Sequence, residues 1–570
     1  MNTRLIIKDY IESLNEDKEL DVIFPLLLTN MGYKVLSTPR ASKGQLQDGK
    51  DIIAIGKDEH NKKIKLFIEL KGFGQRDITD TNIYAIDGFR ESVLAAKDVD
   101  YKDYGVAGLD LLPTKIIYAH PGELQPNANA KYNGIIQREF DGEELIFERW
   151  GIEKLIALFS EYLFNEYILV NDENKRLLQR TLVLLDAPDY DRGDFKLLVD
   201  NYLDSIDGAK MSKNKRQREN FFGTLVLLVS MILSYSKKNN NIIPAKDCVD
   251  YTVLKTWAYI LRFKLEKKSA ILGLFGKLLN IQWEIYSLYY QKTLDIAQTK
   301  NGLCILGISS ESIGYPIRCF NYINDLIYFF KLVSNPLMID EIGCHELKGV
   351  LKNIIRNNEG CKRPLLDNHS ISILNVFNYI GRGEMTDDDC KFLSSYLSDI
   401  VYNIVLISRH KDRLPEIHSD EIALAKSSFT RSEDYCDSTS LLIPILLELC
   451  CWMGREDLYK ALYDCVKERK VDLQVIYPNT EEYDIEQLLF ERKFDEEFFC
   501  DCLLDMRELP KTIAKFKRQY KKHYSPIKFR TPMGYLYFLQ TLAHNYYKTE
   551  HFPEFFNVGF FRADRKAVKS

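Results

Sequence analysis

Cysteine is missing from the first 165 residues of this 570-residue chain, and all twelve cysteines lie between Cys248 and Cys502. None of them forms a CxxC pair or a Cys/His set with the spacing of a zinc site. We therefore expect reduced, mostly buried thiols in a cytoplasmic protein, without a structural zinc. Walker A and GxGxxG loops are also missing, which excludes a nucleotide-hydrolysing motor.

Long apolar runs are scarce as well. Charges are scattered through the first twenty residues, so we do not expect them to form a secretory signal. The longest apolar run, Phe221 to Tyr235, has 15 residues, which is short for a bilayer span. This run predicts a buried core helix, and we expect no membrane association.

The chain has no overall excess of positive charge. Lys and Arg number 77 and Asp and Glu number 82, which gives a net charge of −5. Any contact with nucleic acid must therefore come from local patches. One patch lies at 210–218, and another at 511–530 has eight basic residues and no acidic one. For each patch a solvated helix face is the alternative interpretation.

The second patch has an ordered pattern. Phe516, Tyr520 and Tyr524 are spaced at i, i+4 and i+8, so on a helix they share a face that we expect to pack on the core. The basic side chains would then form the solvent side and contact phosphate without reading sequence. The candidate residues for this contact are Lys517, Arg518, Lys521 and Lys522.

The pattern of the sequence changes near residue 170. Before it, short β-rich runs alternate with helical stretches, whereas after it the patterns are helical and separated by polar breaks. We therefore expect an α/β domain at 1–168, a linker at 169–195 and a large all-α region at 196–570. That region is expected to sense a trigger, bind a partner or form an oligomer, with two subdomains dividing near 340.

One amphipathic helix is predicted near the N-terminus. Its apolar residues recur at helical spacing, namely Leu20, Ile23, Phe24, Leu27, Leu28 and Met31. Gly32 is expected to end it, and a short strand follows. Pro25 would remove the hydrogen bond to the carbonyl of Asp21, which predicts a kink or a later start of the helix.

A β-hairpin is predicted next. Two apolar runs, 51–56 and 64–71, flank a polar connection. If the turn is centred near His60, Asp51 lies opposite Glu69 at the open end of the hairpin. Lys71, two residues after Glu69, emerges on the same face, whereas Ile68 and Leu70 point to the other.

Two carboxylates and an ammonium at one sheet edge suit a particular chemistry. Like charges placed side by side are destabilising unless a cation lies between them. Carboxylate oxygens bind Mg²⁺, which polarises a phosphoryl group and lowers the pKa of a bound water. A lysine beside them orients or deprotonates the attacking water. The set therefore predicts phosphodiester hydrolysis.

The segments MGYKV, GKDIIAIG and FIELKG resemble the landmarks of Mrr-like restriction endonucleases, which belong to the PD-(D/E)xK superfamily. The resemblance covers under a third of the chain and ends near Phe147 to Glu153. It implies a restriction-endonuclease-like α/β fold, a mixed central sheet flanked by helices. It also implies the following roles: metal ligands Asp51, Glu69, the Leu70 carbonyl and Asp21, where the family usually has Glu, and catalytic residues Asp51, Glu69 and Lys71.

The ExK pattern alone carries little weight, because it recurs at Glu16, Glu173, Glu266, Glu346, Glu468 and Glu491. Only at Glu69 does it coincide with a strand, a hairpin partner and a preceding helix. The alternative for this hairpin is a surface turn with solvated charges. His120 is expected to be a satisfied loop histidine near the site. Four basic residues could touch phosphate around it, namely Arg40, Lys43, Lys50 and Arg76.

The resemblance implies a Mg²⁺-dependent endonuclease that cleaves DNA, with Mn²⁺ as a substitute. It further suggests an effector of bacterial restriction or anti-phage defence whose helical region is regulatory. Because one site cuts one strand, we expect a homodimer or larger oligomer, with room for a partner protein from the same system. Two alternatives stay open: a non-catalytic DNA-binding protein and a helical scaffold within a multi-protein complex.

Overall fold

The computed structural model of the chain describes most of its residues and leaves out several segments. The described residues are 7–8, 10–12, 14, 20–38, 50–58, 60–72, 76–99, 101, 108–140, 145–164, 172–187, 190–305, 311–334, 341–381, 385–411, 413–417, 436–477, 479–492, 499–501, 508–523, 529–531, 536 and 538–549.

Contact clustering divides the chain into two compact units. The first contains 1–252 and 267–282, and the second contains 253–266 and 283–570. The expected linker at 169–195 is largely helical, because Asp172–Leu184 and the start of Gly193–Asp204 lie in it. The first unit therefore contains both the expected α/β domain at 1–168 and the start of the expected all-α region.

The first unit is built on a mixed five-stranded sheet in the order β1-β2-β3-β4-β5. β1–β2 and β2–β3 pair antiparallel, whereas β3–β4 and β4–β5 pair parallel. The strands are β1 (Lys34–Ser37), β2 (Ile52–Lys57), β3 (Lys63–Leu70), β4 (Thr114–Ala119) and β5 (Leu145–Trp150).

Helices flank this sheet and extend the first unit beyond it. They are α1 (Asp21–Asn30), α2 (Phe89–Asp98), α3 (Asn129–Glu139), α4 (Ile152–Phe159), α5 (Asp172–Leu184), α6 (Gly193–Asp204), α7 (Gly208–Met211), α8 (Lys215–Lys238) and the first parts of α9 (Ile243–Arg262) and α10 (Ser269–Ala297).

The two faces of the sheet bury different helices. On one face Phe24 of α1 stacks on Trp150 of β5 at 6.0 Å between ring centroids. On the other, Phe89 of α2 packs edge-on against Tyr118 of β4, with ring centroids 5.0 Å apart. Because side chains alternate along a strand, the second face is also the one that carries Glu69.

The predicted hairpin register is confirmed. Ile52 pairs with Ile68, Ile53 with Phe67, and the ladder continues to Lys57 and Lys63. Every pair sums to 120, so the turn is centred at residue 60, as the sequence pattern indicates. The next pair in this register would be Asp51 and Glu69.

Helix α1 ends where the sequence predicts, and it contains Pro25 instead of starting after it. Gly32 has a φ of +94°, a left-handed conformation that favours glycine, and its N–H donates to the carbonyl of Thr29. The helix begins at Asp21 and includes Pro25 as its fifth residue. Of the two alternatives, a kink at Pro25 or a later start, the later start is therefore excluded. The hydroxyl of Thr29 donates to the Pro25 carbonyl at 2.8 Å.

The apolar run at 221–235 lies in α8, and its prediction as a buried core helix is confirmed. Gly223 allows α8 to approach α1 closely, since a Cβ there would come within 2.5 Å of the Leu26 side chain. Arg216 of α8 also donates to the carbonyl of Asn30 at 3.0 Å. These contacts explain why part of the helical region clusters with the sheet.

The second unit is predominantly helical, as expected. Besides the remaining parts of α9 and α10, its helices are α11 (Glu311–Val333), α12 (Glu341–Asn357), α13 (His369–Ile380), α14 (Asp387–Lys411), α15 (Leu442–Trp452), α16 (Glu456–Arg469), α17 (Ile485–Glu491), α18 (Leu509–His523) and α19 (Phe538–Tyr547).

This unit also contains a small sheet, for which the sequence pattern gave almost no sign. Its three strands are β6 (Thr439–Ser440), β7 (Asp472–Ile476) and β8 (Phe499–Asp501). Elsewhere a buried amide network links three helices. The Asn375 amide donates to Asn324 at 3.0 Å and to Asn545 at 2.9 Å.

The described cysteines are free, and six of these nine are buried, in agreement with reduced thiols. Among the described residues, two helices are long and apolar enough to cross a membrane, Lys215–Lys238 and Asp387–His410. In the first, 78% of the apolar window is buried, as in a core helix of a soluble protein, against 39% in the second. This pattern is consistent with a soluble protein.

Candidate active site

Backbone hydrogen bonding at the end of β3 fixes the position of Asp51. The amides of Lys65 and Lys71 donate to Pro113 and Ala119 on the β4 side of the strand, both at 2.9 Å. Alternation along the strand turns the Leu70 amide the other way, towards β2. There the Asp51 carboxylate accepts it, with 2.7 Å between Oδ2 and the Leu70 nitrogen.

Glu69 and Lys71 form an ion pair at the same place. Lys71 Nζ lies 2.8 Å from Glu69 Oε1, and the two side chains are only 9% and 8% exposed. Removing such charges from water costs several kcal/mol, so a carboxylate and an ammonium are buried together only when each is well satisfied. Both side chains stand on one face, as their two-residue spacing predicts.

The three predicted catalytic residues are therefore brought together. Asp51 accepts from the peptide that joins Glu69 to Leu70, and Lys71 pairs with Glu69. No set of three or more His, Cys, Asp or Glu side chains suited to a metal occurs among the described residues. Mg²⁺ does not need such a set, because it is usually held by one or two carboxylates together with waters and substrate phosphates. Asp51, Glu69 and the Leu70 carbonyl fit that requirement.

Three further residues lie near this site, Tyr118 and Arg149 on the same face of the sheet and His120 directly after β4. In the strand register Glu69 is followed by Tyr118 of β4 and then by Arg149 of β5. His120 directly follows β4 and is fully buried. Its Nδ1 lies 2.5 Å from the Arg76 carbonyl, and its Nε2 lies 3.4 Å from Nη1 of Arg149.

These contacts determine the charge and tautomer of His120. Burial lowers the pKa of His120 to about 4, an effect that the nearby Arg149 cation reinforces and the bond to the Arg76 carbonyl opposes. The imidazole is therefore neutral near pH 7. Because a carbonyl can only accept, Nδ1 carries the hydrogen, and Nε2 accepts from the Arg149 guanidinium. His120 is thus a satisfied loop histidine beside the site.

The other candidate residues around the hairpin differ in their burial and in whether the structure describes them. Arg40 and Lys43 lie outside the described residues. Lys50 is buried, and its ammonium lies 5.0 Å from the centre of the Phe67 ring, so it does not face solvent as a phosphate ligand would. Arg76 is partly exposed, and Asp21 opens α1, although the description does not extend to the Asp21 side chain.

The basic segment in the second unit forms α18. Phe516 is buried and Thr512 lies on the same side, whereas Lys517, Arg518 and Lys522 are exposed. This arrangement agrees with an apolar face on the core and a basic face in solvent. The side chains of Tyr520 and Lys521, and the whole of Tyr524, lie outside the described residues.

Sequence reasoning did not find Arg149 as a candidate. It assigned the segment around it only to the end of the resemblance. The available signal was an arginine at the penultimate position of a β-rich run, and that signal has meaning only once β3, β4 and β5 are known to be adjacent and parallel.

Comparisons with known proteins identify no relative of this chain. No family model, no curated protein and no solved structure matches the chain. The functional argument therefore depends on the geometry of the site.

Proposed function

We propose that this protein is a metal-dependent nuclease that cleaves phosphodiester bonds in DNA. The observation that carries the proposal is the convergence of Asp51, Glu69 and Lys71 at one end of the β2–β3 hairpin. The hydrogen bond from the Leu70 amide holds one carboxylate against the peptide that follows the other. A solvated surface hairpin has no reason to bury the Glu69 and Lys71 side chains beside a half-buried Asp51 in this way.

Each residue has a role that its contacts support. Asp51, Glu69 and the Leu70 carbonyl would hold Mg²⁺, or Mn²⁺ in its place. The ion, when bound, supplies Lewis-acid stabilisation of the phosphoryl oxygens and acidifies water. Lys71 holds its ammonium 2.8 Å from Glu69, within reach of the same space. There it orients the attacking water and offsets negative charge that develops on the phosphoryl group.

The sheet gives this assignment independent support. A meander of three antiparallel strands followed by two parallel strands agrees with the mixed central sheet that the resemblance to Mrr-like restriction endonucleases implies. Fold likeness is only a supporting argument, because one fold hosts many activities. The site geometry remains the basis of the proposal.

The helical second unit is proposed to regulate the nuclease. Its size and the buried amide network among α11, α13 and α19 suit a folded sensor or partner-binding module. We extend the proposal to a cytoplasmic effector of bacterial restriction or anti-phage defence that acts as a homodimer or larger oligomer. A partner protein from the same system is part of this proposal.

A nicking assay on the purified full-length chain tests the proposal. Supercoiled plasmid is incubated with protein and Mg²⁺, Mn²⁺ or EDTA, beside a Lys71→Ala preparation made in parallel. We expect conversion to open-circle or linear DNA with either metal, none with EDTA and none with Lys71→Ala. Metal-independent cleavage, or equal cleavage by Lys71→Ala, would exclude this site as its source.

The exposed basic face of α18 favours a second candidate, a DNA-binding protein without catalysis. Lys517, Arg518 and Lys522 are exposed, with the Lys517 ammonium 5.0 Å from the centre of the Trp452 ring, and this basic face suits sequence-independent phosphate contacts. DNA binding without cleavage under any metal condition would support this alternative. The buried Glu69–Lys71 ion pair beside the half-buried Asp51 argues against it.

A further inference from the structure

The strongest feature that the proposed catalytic set leaves unexplained is the Arg149 guanidinium. Arg149 is partly buried, and its Nη1 donates to Nε2 of His120 at 3.4 Å. Among the described residues, no carboxylate lies within ion-pair distance of it. Glu148, its neighbour in sequence, is paired instead with Lys115 and Lys154. A partly desolvated cation whose described partner is a neutral ring is well suited to receive an anion from outside.

The strand register determines where that anion would lie. Glu69, Tyr118 and Arg149 form one row across β3, β4 and β5 on a single face. Neighbouring strands are about 4.8 Å apart, so β3 and β5 are separated by about 10 Å. His120 lies two residues beyond Tyr118 and directly after the end of β4. The contact with His120 therefore directs the Arg149 side chain towards the edge of the sheet that also carries Lys71.

The position of Arg149 is held from several sides. The His120 ring is anchored through Nδ1 to the Arg76 carbonyl, and its backbone N–H donates to Trp150 at 3.0 Å. A Cβ on Gly151 would lie only 3.4 Å from the Cζ and Nη1 atoms of Arg149, so the guanidinium folds over that glycine. A guanidinium held in this way is pre-organised, and less side-chain entropy is lost when it binds a ligand.

We propose that Arg149, positioned by His120, binds a second phosphate group of a polynucleotide whose scissile phosphate lies at Asp51, Glu69 and Lys71. This inference rests on the proposed nuclease function and deepens it. It assigns the substrate as an extended polynucleotide that is contacted through more than one phosphate, in preference to a mononucleotide or a small phosphoester. Planar guanidinium groups bind phosphate oxygens in a bidentate manner, which a lysine cannot do. His120 acts here as a positioning residue.

The experiment measures binding separately from cleavage. Full-length protein is titrated against a fluorescent single-stranded oligonucleotide in EDTA at several salt concentrations. The proteins compared are wild type, Arg149→Gln, Arg149→Lys and His120→Asn. Arg138→Gln is the matched control, because it removes the same charge from a side chain that is 62% exposed at the end of α3.

We expect Arg149→Gln to bind about tenfold more weakly and to lose about 0.7 from the slope of log affinity against log salt, the value for one phosphate contact on a single strand. Arg149→Lys should keep the slope and recover part of the affinity. His120→Asn preserves a donor for the Arg76 carbonyl, but the shorter amide places no acceptor atom where Nε2 accepts from Arg149. His120→Asn should weaken binding about threefold, and adding it to Arg149→Gln in a double variant should have little further effect, because the two residues act together.

Other results would overturn the inference. One is an Arg149→Gln slope equal to that of wild type or of Arg138→Gln, and another is a wild-type protein that does not bind the oligonucleotide. The nicking assay tests the proposed nuclease activity separately from binding. Cleavage that continues with an unchanged slope would refute this inference alone, whereas Arg149-dependent binding without cleavage under any metal would refute the nuclease alone.

Discussion

The tetrapeptide Glu-Leu-Lys-Gly occurs twice in this chain, at 69–72 and at 346–349, and the two copies have different surroundings. In the first copy Glu69 and Lys71 pair on one face of β3, beside Asp51. In the second, which lies in α12, Glu346 is exposed and Lys348 is buried. Residues two apart share a face on a strand but point apart on a helix. The same sequence spacing therefore brings a glutamate and a lysine together on a strand and separates them on a helix.

The hairpin partner adds a second difference between the two copies. Asp51 reaches Glu69 because the β2–β3 ladder brings together residues that are 18 positions apart. The helix around Glu346 contributes no comparable partner among the described residues. We therefore expect catalytic effects at the first copy and none at the second.

The largest expected effect is the loss of cleavage at the strand copy. Asp51→Ala, Glu69→Ala and Lys71→Ala should each reduce Mg²⁺-dependent nicking by at least about a thousandfold, because each removes a metal ligand or the residue that positions the water. The rate is measured on supercoiled plasmid, and circular dichroism checks folding. Glu346→Ala, the same change in the helix copy, should cut at the wild-type rate. Wild-type rates for Asp51→Ala would show that the site is misassigned.

A second prediction concerns the pH dependence of the first unit. Burial holds the pKa of His120 near 4, whereas an unfolded histidine titrates near 6.5. The unfolded chain therefore binds more protons between these values, and the free energy of unfolding rises with pH across this window. For this one group the rise is about 3 kcal/mol. Below about pH 4 both states are protonated, and the stabilisation is lost.

Urea unfolding followed by hydrogen exchange in β4 and β5 measures this dependence. His120→Asn should flatten it between pH 4 and 6.5, whereas His60→Asn, a change at an exposed turn residue, should leave it unchanged. An equally steep dependence in His120→Asn would show that other groups control it.

Local patterns were sufficient to predict the features that short stretches of chain determine. The turn near His60 fixes the hairpin register, and Gly32 ends α1 because a left-handed residue is needed there. The burial of α8 follows from its apolar run. These features supply Asp51, Glu69 and Lys71, so most of the candidate catalytic set could be predicted from sequence.

Features that depend on distant pairing could not be predicted in this way. Parallel strands are joined by long crossovers, so nothing local shows that Arg149 and Glu69 share a row. The burial of Lys50 against Phe67 follows from packing on the assembled sheet. Strands of two to five residues, as in β6, β7 and β8, are too short to give a clear alternation.

A third prediction tests whether helix-borne charge contributes to DNA binding. Replacing Lys517, Arg518, Lys521 and Lys522 together by Ser should weaken DNA binding about tenfold and flatten its salt dependence, since these side chains would contact phosphate alone. Fluorescence anisotropy on duplex DNA at several salt concentrations measures both. The control carries four exposed lysines changed to Ser, Lys292, Lys300, Lys460 and Lys467. Equal affinity at low salt would identify α18 as an ordinary solvated face.

The smallest expected effect is at the start of α1. Asp21→Ala should lower the nicking rate less than about tenfold, because a third acidic ligand is not required when two carboxylates and a carbonyl hold Mg²⁺. Nicking is compared with that of Asp51→Ala under the same conditions. A loss as large as that of Asp51→Ala would make Asp21 a full metal ligand and enlarge the site.

The central claim is that Asp51 and Glu69 share one divalent cation at the end of the hairpin. A crystal structure of the full chain soaked with Mn²⁺, with anomalous diffraction data, tests it most directly. We predict one anomalous peak per chain about 2.1 Å from a carboxylate oxygen of each residue, with the Leu70 carbonyl in the same coordination sphere. An ordered hairpin with no peak there, or with Mn²⁺ bound only elsewhere, would contradict the account.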